Sequence, residues 1–336
     1  MSRQGRVRVG LIGCGVFGES HLEAYSGLPF VEVVAVADAV EERARKLASR
    51  HGVPHVASGI RELCSLKDLD AVSVVTTEDQ HLEPVLTAIK HGKHVLVEKP
   101  MATKTEDACK MVEAAQKAGV ILMPGHILRF ETRYAAVKER LDKGGLGRVV
   151  YLYARRNRPK WQGKIYKRGP IILETAIHDI DAMLWYANAK VDSVYCCDVK
   201  LEPQAEADLT CAVLKFSGGA VGFLQTSWLL PDKTAFLDDA LQVIATAGLA
   251  NVDVLHSGLS IWREEGVEYP DVSYEPRLRG AAFGALREEL NYFAMCVLEG
   301  RQPTVVTAQD GVEAVRVAGA LVESGRAARE IRVSSG

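Results

Sequence analysis

At residues 10 to 18 the chain reads GLIGCGVFG, which puts Gly13, Gly15 and Gly18 in GxGxxG spacing. The apolar run VRVGLI leads straight into it and a helical pattern follows straight after. A strand that turns this sharply into a helix leaves few architectures open, and the one it fits best is a βαβ unit that binds a dinucleotide. Gly13 permits the tight turn, Gly15 lets a pyrophosphate approach the backbone, and Gly18 lets helix and strand pack closely. The free N–H groups around Val16 and Phe17 at the helix start attract phosphate. Asp38 ends the next apolar run, twenty positions after Gly18. Its carboxylate is expected to accept from ribose hydroxyls and to repel a 2′-phosphate, which selects NAD over NADP. It also precedes AVEERARKLA and stands where it can cap that helix.

The rest of the first third repeats the same unit. VEVVAVAD, LDAVSVVTT, KHVLVEK and GVILMP read as buried strands, and helical patterns, most of them ending at glycine, separate them. Such alternation predicts an α/β fold with a doubly wound parallel sheet, a Rossmann domain over 1–123. After Pro124 the rhythm changes. A helix pattern is followed by GRVVYLYARRN, a polar and aromatic loop to about Pro170, and a helix over 171–188. Strand patterns then come in series, with SGG at 217 to 219 joining two of them as a hairpin. This half, 124–336, is expected to be an α+β domain with an open, mostly antiparallel sheet that binds substrate and builds oligomers. Near the end, Thr307 and Asp310 stand in capping-box spacing.

Charge narrows the function. Lys and Arg number 41 against 43 Asp and Glu, so there is no basic excess to meet a nucleic acid. No apolar run approaches the roughly 20 residues of a membrane span. The seven cysteines form no CxxC pair and are odd in number, which suits a reduced, cytoplasmic chain.

ETAIHDID, residues 174 to 181, sets Glu174, His178 and Asp181 four and then three positions apart, the spacing that aligns side chains on one helix face. Three readings stay open on spacing alone: a metal site, a proton-transfer site, and a polar edge without chemistry. One His with two carboxylates makes a poor metal set when no second His or Cys with ligand spacing stands near, so no metal is expected. Just upstream, RRNRPKWQGKIYKRGP is the most basic stretch of the chain. If it walls a substrate, its charge suits an acidic, phosphorylated or nucleotide-linked sugar, with Arg156 among the contacts. Trp161 and Tyr166 are suited to stack on sugar faces, and Arg129 in GHILRF is a further pocket candidate.

With GKHVLVEKPM at 92 to 101, the chain resembles the Gfo/Idh/MocA oxidoreductases, and the resemblance spans nearly its whole length. Besides the glycine loop with His21 just beyond it, the residues that carry it are VVTTEDQHLEPVLTAIKHGKHVLVEKP, GHILRF and ILETAIHDID. The resemblance implies a nicotinamide cofactor, oxidation or reduction of a sugar or cyclic polyol, and a homodimer or homotetramer built through the sheets. It implies that Lys99 of the EKP motif points at the substrate hydroxyl and the cofactor and that His178 exchanges the proton; on the same helix a carboxylate at Glu174 can orient the imidazole or hydrogen-bond a second hydroxyl, and Asp181 is a substrate-binding candidate. Thr76, His81 and Glu98 are implied cofactor contacts. Glu174 stands where an Asp is usual, Ala176 where Gly is usual, and TTEDQH replaces a more common Thr-Pro-Asn sequence. A histidine near its ordinary pKa of ~6.5 is matched to take a proton at neutral pH, and a lysine ammonium stabilises developing alkoxide. The expected reaction is NAD-dependent dehydrogenation of a secondary hydroxyl; the alternative is an NAD-retaining glycosidase that works by transient oxidation and elimination.

Overall fold

The computed structural model describes residues 5–166, 169–202, 206–233, 237–256, 259–263 and 266–333. Two compact units divide the chain. One holds the chain up to Phe130 together with Ser273–Val312, and the other holds Glu131–Val272 together with the chain from Glu313.

The first unit runs β1 (Val7–Ile12), α1 (Val16–Ser26), β2 (Val31–Ala37), α2 (Glu41–His51), β3 (His55–Val56), α3 (Ile60–Ser65), β4 (Ala71–Val74), α4 (Leu82–Lys90), β5 (His94–Glu98), α5 (Thr105–Ala118) and β6 (Leu122–Gly125). Its sheet is parallel throughout, in the order β3-β2-β1-β4-β5-β6. The strands are almost continuously apolar because helices cover both faces. Glycines at the ends of α2 and α5 take left-handed backbone, Gly52 at φ +68° and Gly119 at φ +66°, as the sequence pattern predicts. The two-residue β3 and the short α3 carry no periodic apolar run, and sequence reading passes over them.

The second unit runs α6 (Thr132–Asp142), β7 (Val149–Pro159), α7 (Lys160–Tyr166), α8 (Ile177–Ala187), β8 (Val191–Val199), β9 (Leu209–Phe216), β10 (Val221–Leu230), β11 (Asp238–Ala245) and β12 (Gly248–Asp253). Two small ribbons follow, β13 (Ile261–Arg263) with β14 (Gly266–Glu268) and, in the first unit, β15 (Arg277–Leu278) with β16 (Ala281–Ala282). Then come α9 (Ala285–Glu299), α10 (Ala308–Ala327) and β17 (Ile331–Arg332). The large sheet of the second unit has the order β12-β11-β7-β10-β9-β8-β17 and is antiparallel except between β7 and β10. Burial alternates residue by residue along β9 and β11, the mark of a sheet with one packed face.

The division departs from a single boundary at 123/124. Leu286, Leu290, Phe293, Cys296 and Val297 of α9 join Val7, Val9, Leu96 and Met123 in one core of the first unit. The apolar face of α9 is therefore spent on the parallel sheet. The capping pair ahead of α10 is reciprocal as expected: the Thr307 N–H donates to Asp310 Oδ2 at 2.7 Å, and the Asp310 N–H to Thr307 Oγ1 at 3.2 Å. Among the described residues no helix is long and apolar enough to cross a membrane.

Candidate active site

In a parallel sheet every strand ends at the same edge, so the residues that follow β1, β2, β4 and β5 share one rim. Gly13, Asp38, Thr76 and Lys99 lie there. Gly13 turns at φ +103°, and a Cβ on it would come within 2.5 Å of the Val75 carbonyl oxygen. A Cβ on Gly18 would collide with the carbonyl oxygen of Gly13, whereas one on Gly15, the N-cap of α1, would meet nothing within 4 Å. The loop is thus packed tight at two glycines and open at the third, at the positive end of a helix dipole, which fits a pyrophosphate. Val16 is 80 % exposed beside this opening, and Phe17 meets the His21 ring edge-on at 5.1 Å.

Asp38 is already engaged with the loop. One carboxylate oxygen accepts the Cys14 N–H and the other the Val40 N–H, both at 2.7 Å. Each oxygen has a second lone pair to offer, so ribose binding stays compatible with this clamp. The N-cap of α2 is Val40, whose own side chain makes no capping bond, so Asp38 serves that helix only through the Val40 N–H. Burial, helped by the Asp38 charge, pushes the Cys14 thiol up to about 12, so it stays protonated at neutral pH.

Glu98 and His81, implied as cofactor contacts, are buried behind the rim. Glu98 is 6 % exposed, with Oε1 3.0 Å from His21 Nε2 and Oε2 accepting the Lys99 N–H at 3.1 Å. His81 sets Nδ1 2.9 Å from the Pro100 carbonyl oxygen and Nε2 3.2 Å from that of Thr76, and so ties the loop after β4 to the EKP turn. Burial holds its pKa below the usual histidine value. Arg129 is also buried, donating to the Val305 carbonyl at 2.9 Å and pairing with Asp310 at 3.2 Å. It forms one wall of a cavity of about 370 Å³ shared with Phe130, Tyr292 and Arg301.

In the second unit the predicted helix over 171–188 is present, but its first part, Ile172–Ala176, is a π-helical turn. Its wider bonding takes Glu174 out of strict α-helical register with His178 and Asp181, and turns of this kind often mark functional sites. Glu174 and His178 are half-buried, while Asp181 is only 1 % exposed. The single polar face expected from spacing is therefore split.

The basic stretch also reads differently in three dimensions. The expected loop is strand β7 up to Pro159, followed by α7, and its arginines on β7, Arg155, Arg156 and Arg158, have carboxylate partners. Arg156, 2 % exposed, grips Asp179 with two bonds of 2.6 and 2.9 Å and Asp239 with a third of 2.6 Å. Arg158 also binds Asp239, and Arg155 binds Asp238. Burial pushes the Asp179 carboxyl up, against the pull of the Arg156 guanidinium. The charge of Arg155, Arg156 and Arg158 is thus met by the protein's own aspartates, and Arg156 is a buried anchor rather than an open contact.

Trp161 is half-buried at the start of α7, its backbone N–H donating to Asp232 at 2.8 Å. The side chain of Tyr166, with Lys167 and Arg168, lies outside the described residues. Sequence reading missed Trp228, buried with Ile171 against the start of the π turn, and the counter-charges Asp179, Asp238 and Asp239. The signal for the last two was a pair of acids opening an otherwise apolar, alternating strand. Among the described residues, Glu19, Glu23 and His51 bring possible ligand atoms within 4.8 Å of one another, on α1 and α2, where Arg50 and Arg277 already pair with the carboxylates.

Residues 7–126 match a family model described as an oxidoreductase family with an NAD-binding Rossmann fold, and residues 134–251 match the GFO/IDH/MocA C-terminal domain. Together they span more than half of the chain. A myo-inositol 2-dehydrogenase of Thermotoga maritima is 27 % identical over 97 % of this chain and 98 % of its own length. A scyllo-inositol 2-dehydrogenase (NAD(+)) of Bacillus subtilis is 27 % identical over 89 % of each. In fold, the chain matches the structure of a scyllo-inositol dehydrogenase from Lactobacillus casei with bound NAD(H) and scyllo-inositol, at a TM-score of 0.84 and 20 % identity, covering 98 % of this chain and 100 % of that one.

Proposed function

The chain belongs to the GFO/IDH/MocA oxidoreductases, whose N-terminal domain is an NAD-binding Rossmann fold, and from that premise we propose that it dehydrogenates a secondary hydroxyl of an inositol-like polyol or a sugar. The observation that carries this reading is the shared rim: the open glycine loop, Asp38 and Lys99 all follow parallel strands of one sheet. Asp38, Gly15 and Lys99 would hold a cofactor along that rim.

When bound, NAD supplies the hydride acceptor. Gly15 and the first turn of α1 would hold the pyrophosphate, and Asp38 would hold the adenosine ribose. The Lys99 ammonium donates to the substrate oxygen and stabilises the charge that grows there as the C–H bond breaks. His178 takes the hydroxyl proton, and Glu174 orients the imidazole or binds a neighbouring hydroxyl. Trp161 and Asp181 belong to the substrate side in this reading. The substrate is a neutral polyol rather than a phosphorylated one, because the arginines of β7 are paired internally. The relatives compared carry dehydrogenase names, which favours net oxidation over the elimination route of a glycosidase. Association through the half-exposed face of the large sheet, to a dimer or tetramer, completes the proposal.

The test is a panel of inositol isomers, hexoses, uronates and nucleotide sugars, each with NAD and with NADP. Accumulation of NADH with a cyclic polyol is the expected result. Turnover confined to phosphorylated or nucleotide-linked sugars, or release of an aglycone without NADH, would replace the reading.

A further inference from the structure

Glu98 is the last residue of β5, and its carboxylate is used twice inside the protein. Oε1 lies 3.0 Å from His21 Nε2, and Oε2 accepts the N–H of Lys99 at 3.1 Å. The pair is buried: His21 is 0 % and Glu98 6 % exposed. It is also closely fitted. Gly125, opposite Glu98 on β6, leaves room for the carboxylate only because it lacks a side chain, since a Cβ there would lie 2.8 Å from Oε1. His21 stands on α1, the helix whose first turn carries the open Gly15. One carboxylate therefore joins three elements: the helix of the phosphate loop, the strand that ends at the lysine, and the neighbouring strand.

We propose that Glu98 and His21 are positioning residues, which fix the backbone at Lys99 relative to the dinucleotide loop and do not themselves touch the cofactor. A carboxylate that is buried must have its lone pairs satisfied, and here the donors that satisfy it belong to the two parts of the site that must be aligned. A lysine that has to meet a reacting oxygen gains more from a fixed backbone than from added charge, because a misplacement of about 1 Å costs roughly 100-fold in rate. The inference rests on the reading of Lys99 as the group that holds the substrate oxygen, and the experiment separates the two.

The test is a double-variant cycle on the full-length protein, with NADH binding followed by fluorescence and turnover followed with the best polyol of the panel. Glu98→Ala is expected to lower kcat roughly 10- to 100-fold with the polyol KM and the NADH dissociation constant within about threefold of wild type. Glu98→Gln keeps an oxygen for the Lys99 N–H and an amide for His21, and is expected to recover most of that loss. In a Lys99→Met background, Glu98→Ala should cost no more than about a further twofold, because its effect passes through the lysine. Should Glu98→Ala fail to fold, His21→Ala removes the anchor alone and is expected to lower kcat about 3- to 10-fold, again only when Lys99 is present. An equal loss in both backgrounds, or a weaker NADH affinity at unchanged kcat, would overturn the proposal. Near-normal kcat for Lys99→Met alone would overturn the reading of Lys99 itself, and the positioning role with it.

Discussion

The glycine loop of the first unit and the underside of α8 in the second solve the same problem by opposite means. At the loop, absent side chains set the shape: Gly13 and Gly18 admit the backbone contacts of a tight turn, and Gly15 leaves open the space a phosphate needs. Beneath α8, two guanidiniums and two carboxylates, Arg156, Arg158, Asp179 and Asp239, are buried with no net charge and fix the helix that carries His178. The first device is local in sequence and is damaged by adding an atom. The second is assembled from residues up to 83 positions apart and is damaged by removing a charge. A binding loop that must admit a ligand is kept empty, whereas the helix that carries His178 is pinned by buried charge.

The contrast yields predictions of graded size. The largest concerns the two proposed reacting groups. His178→Ala is expected to lower kcat by roughly 10²- to 10⁴-fold while NADH still binds, and Lys99→Ala to be at least as damaging, as transient kinetics with a fluorescence titration can show. Loss of NADH binding in His178→Ala would mean that the helix serves the cofactor instead.

Next comes the buried quartet. Arg156→Ala leaves two buried carboxylates short of a partner and is expected to cost about 3–5 kcal/mol in denaturant unfolding. Arg156→Lys keeps the charge but not the two-pronged grip on Asp179, and should recover only part of it. A loss below about 1 kcal/mol for Arg156→Ala would show that the network is solvated and pins nothing.

The glycines give a smaller and sharper contrast. Gly18→Ala forces a Cβ into the Gly13 carbonyl and should lower both stability and NADH affinity. Gly15→Ala meets no protein atom, so it should leave the melting temperature unchanged and weaken NADH about tenfold or more by crowding the phosphate. Equal destabilisation by the two variants would break the distinction between a packed and an open glycine.

The smallest effect is a pH dependence of stability. Burial holds His81 and His94 below their usual pKa of 6.5 in the folded chain. The unfolded chain then binds more protons than the folded one as pH falls through that region, so stability is full above about pH 6.5 and declines toward the lowered folded values. Unfolding free energies at stepped pH should show this decline, and His81→Gln, though less stable at neutral pH, should flatten it. An unchanged slope would assign the acid sensitivity elsewhere.

Both sheets, the glycine loop and the helix over 171–188 were legible because each rests on local periodicity or on a short motif with its own physics. Glu98 and His81 were legible as members of a motif but not as buried, since a motif records residue types and not which way they face. The pairing of Arg156 with Asp239 was not legible, because register between β7 and β11 brings together residues with no sequence signal of their meeting. The return of α9 to the first core escaped notice for the same reason: an amphipathic helix announces an apolar face without naming its partner. The π turn at Glu174 is invisible to residue spacing, which reads an α-helix wherever three- and four-residue steps recur.

The proposed reaction is hydride transfer from a cyclic polyol to NAD, with Lys99 holding the substrate oxygen and His178 taking the proton. It is tested most directly with an inositol deuterated at each ring C–H, incubated with NAD and the wild-type protein, and with His178→Ala in parallel. One deuterium is expected at the nicotinamide C4 for each inosose formed, and in the variant the same labelled product at a rate lower by roughly 10²-fold or more. A product that carries solvent hydrogen with no labelled NADH, or an undiminished rate in His178→Ala, would contradict it.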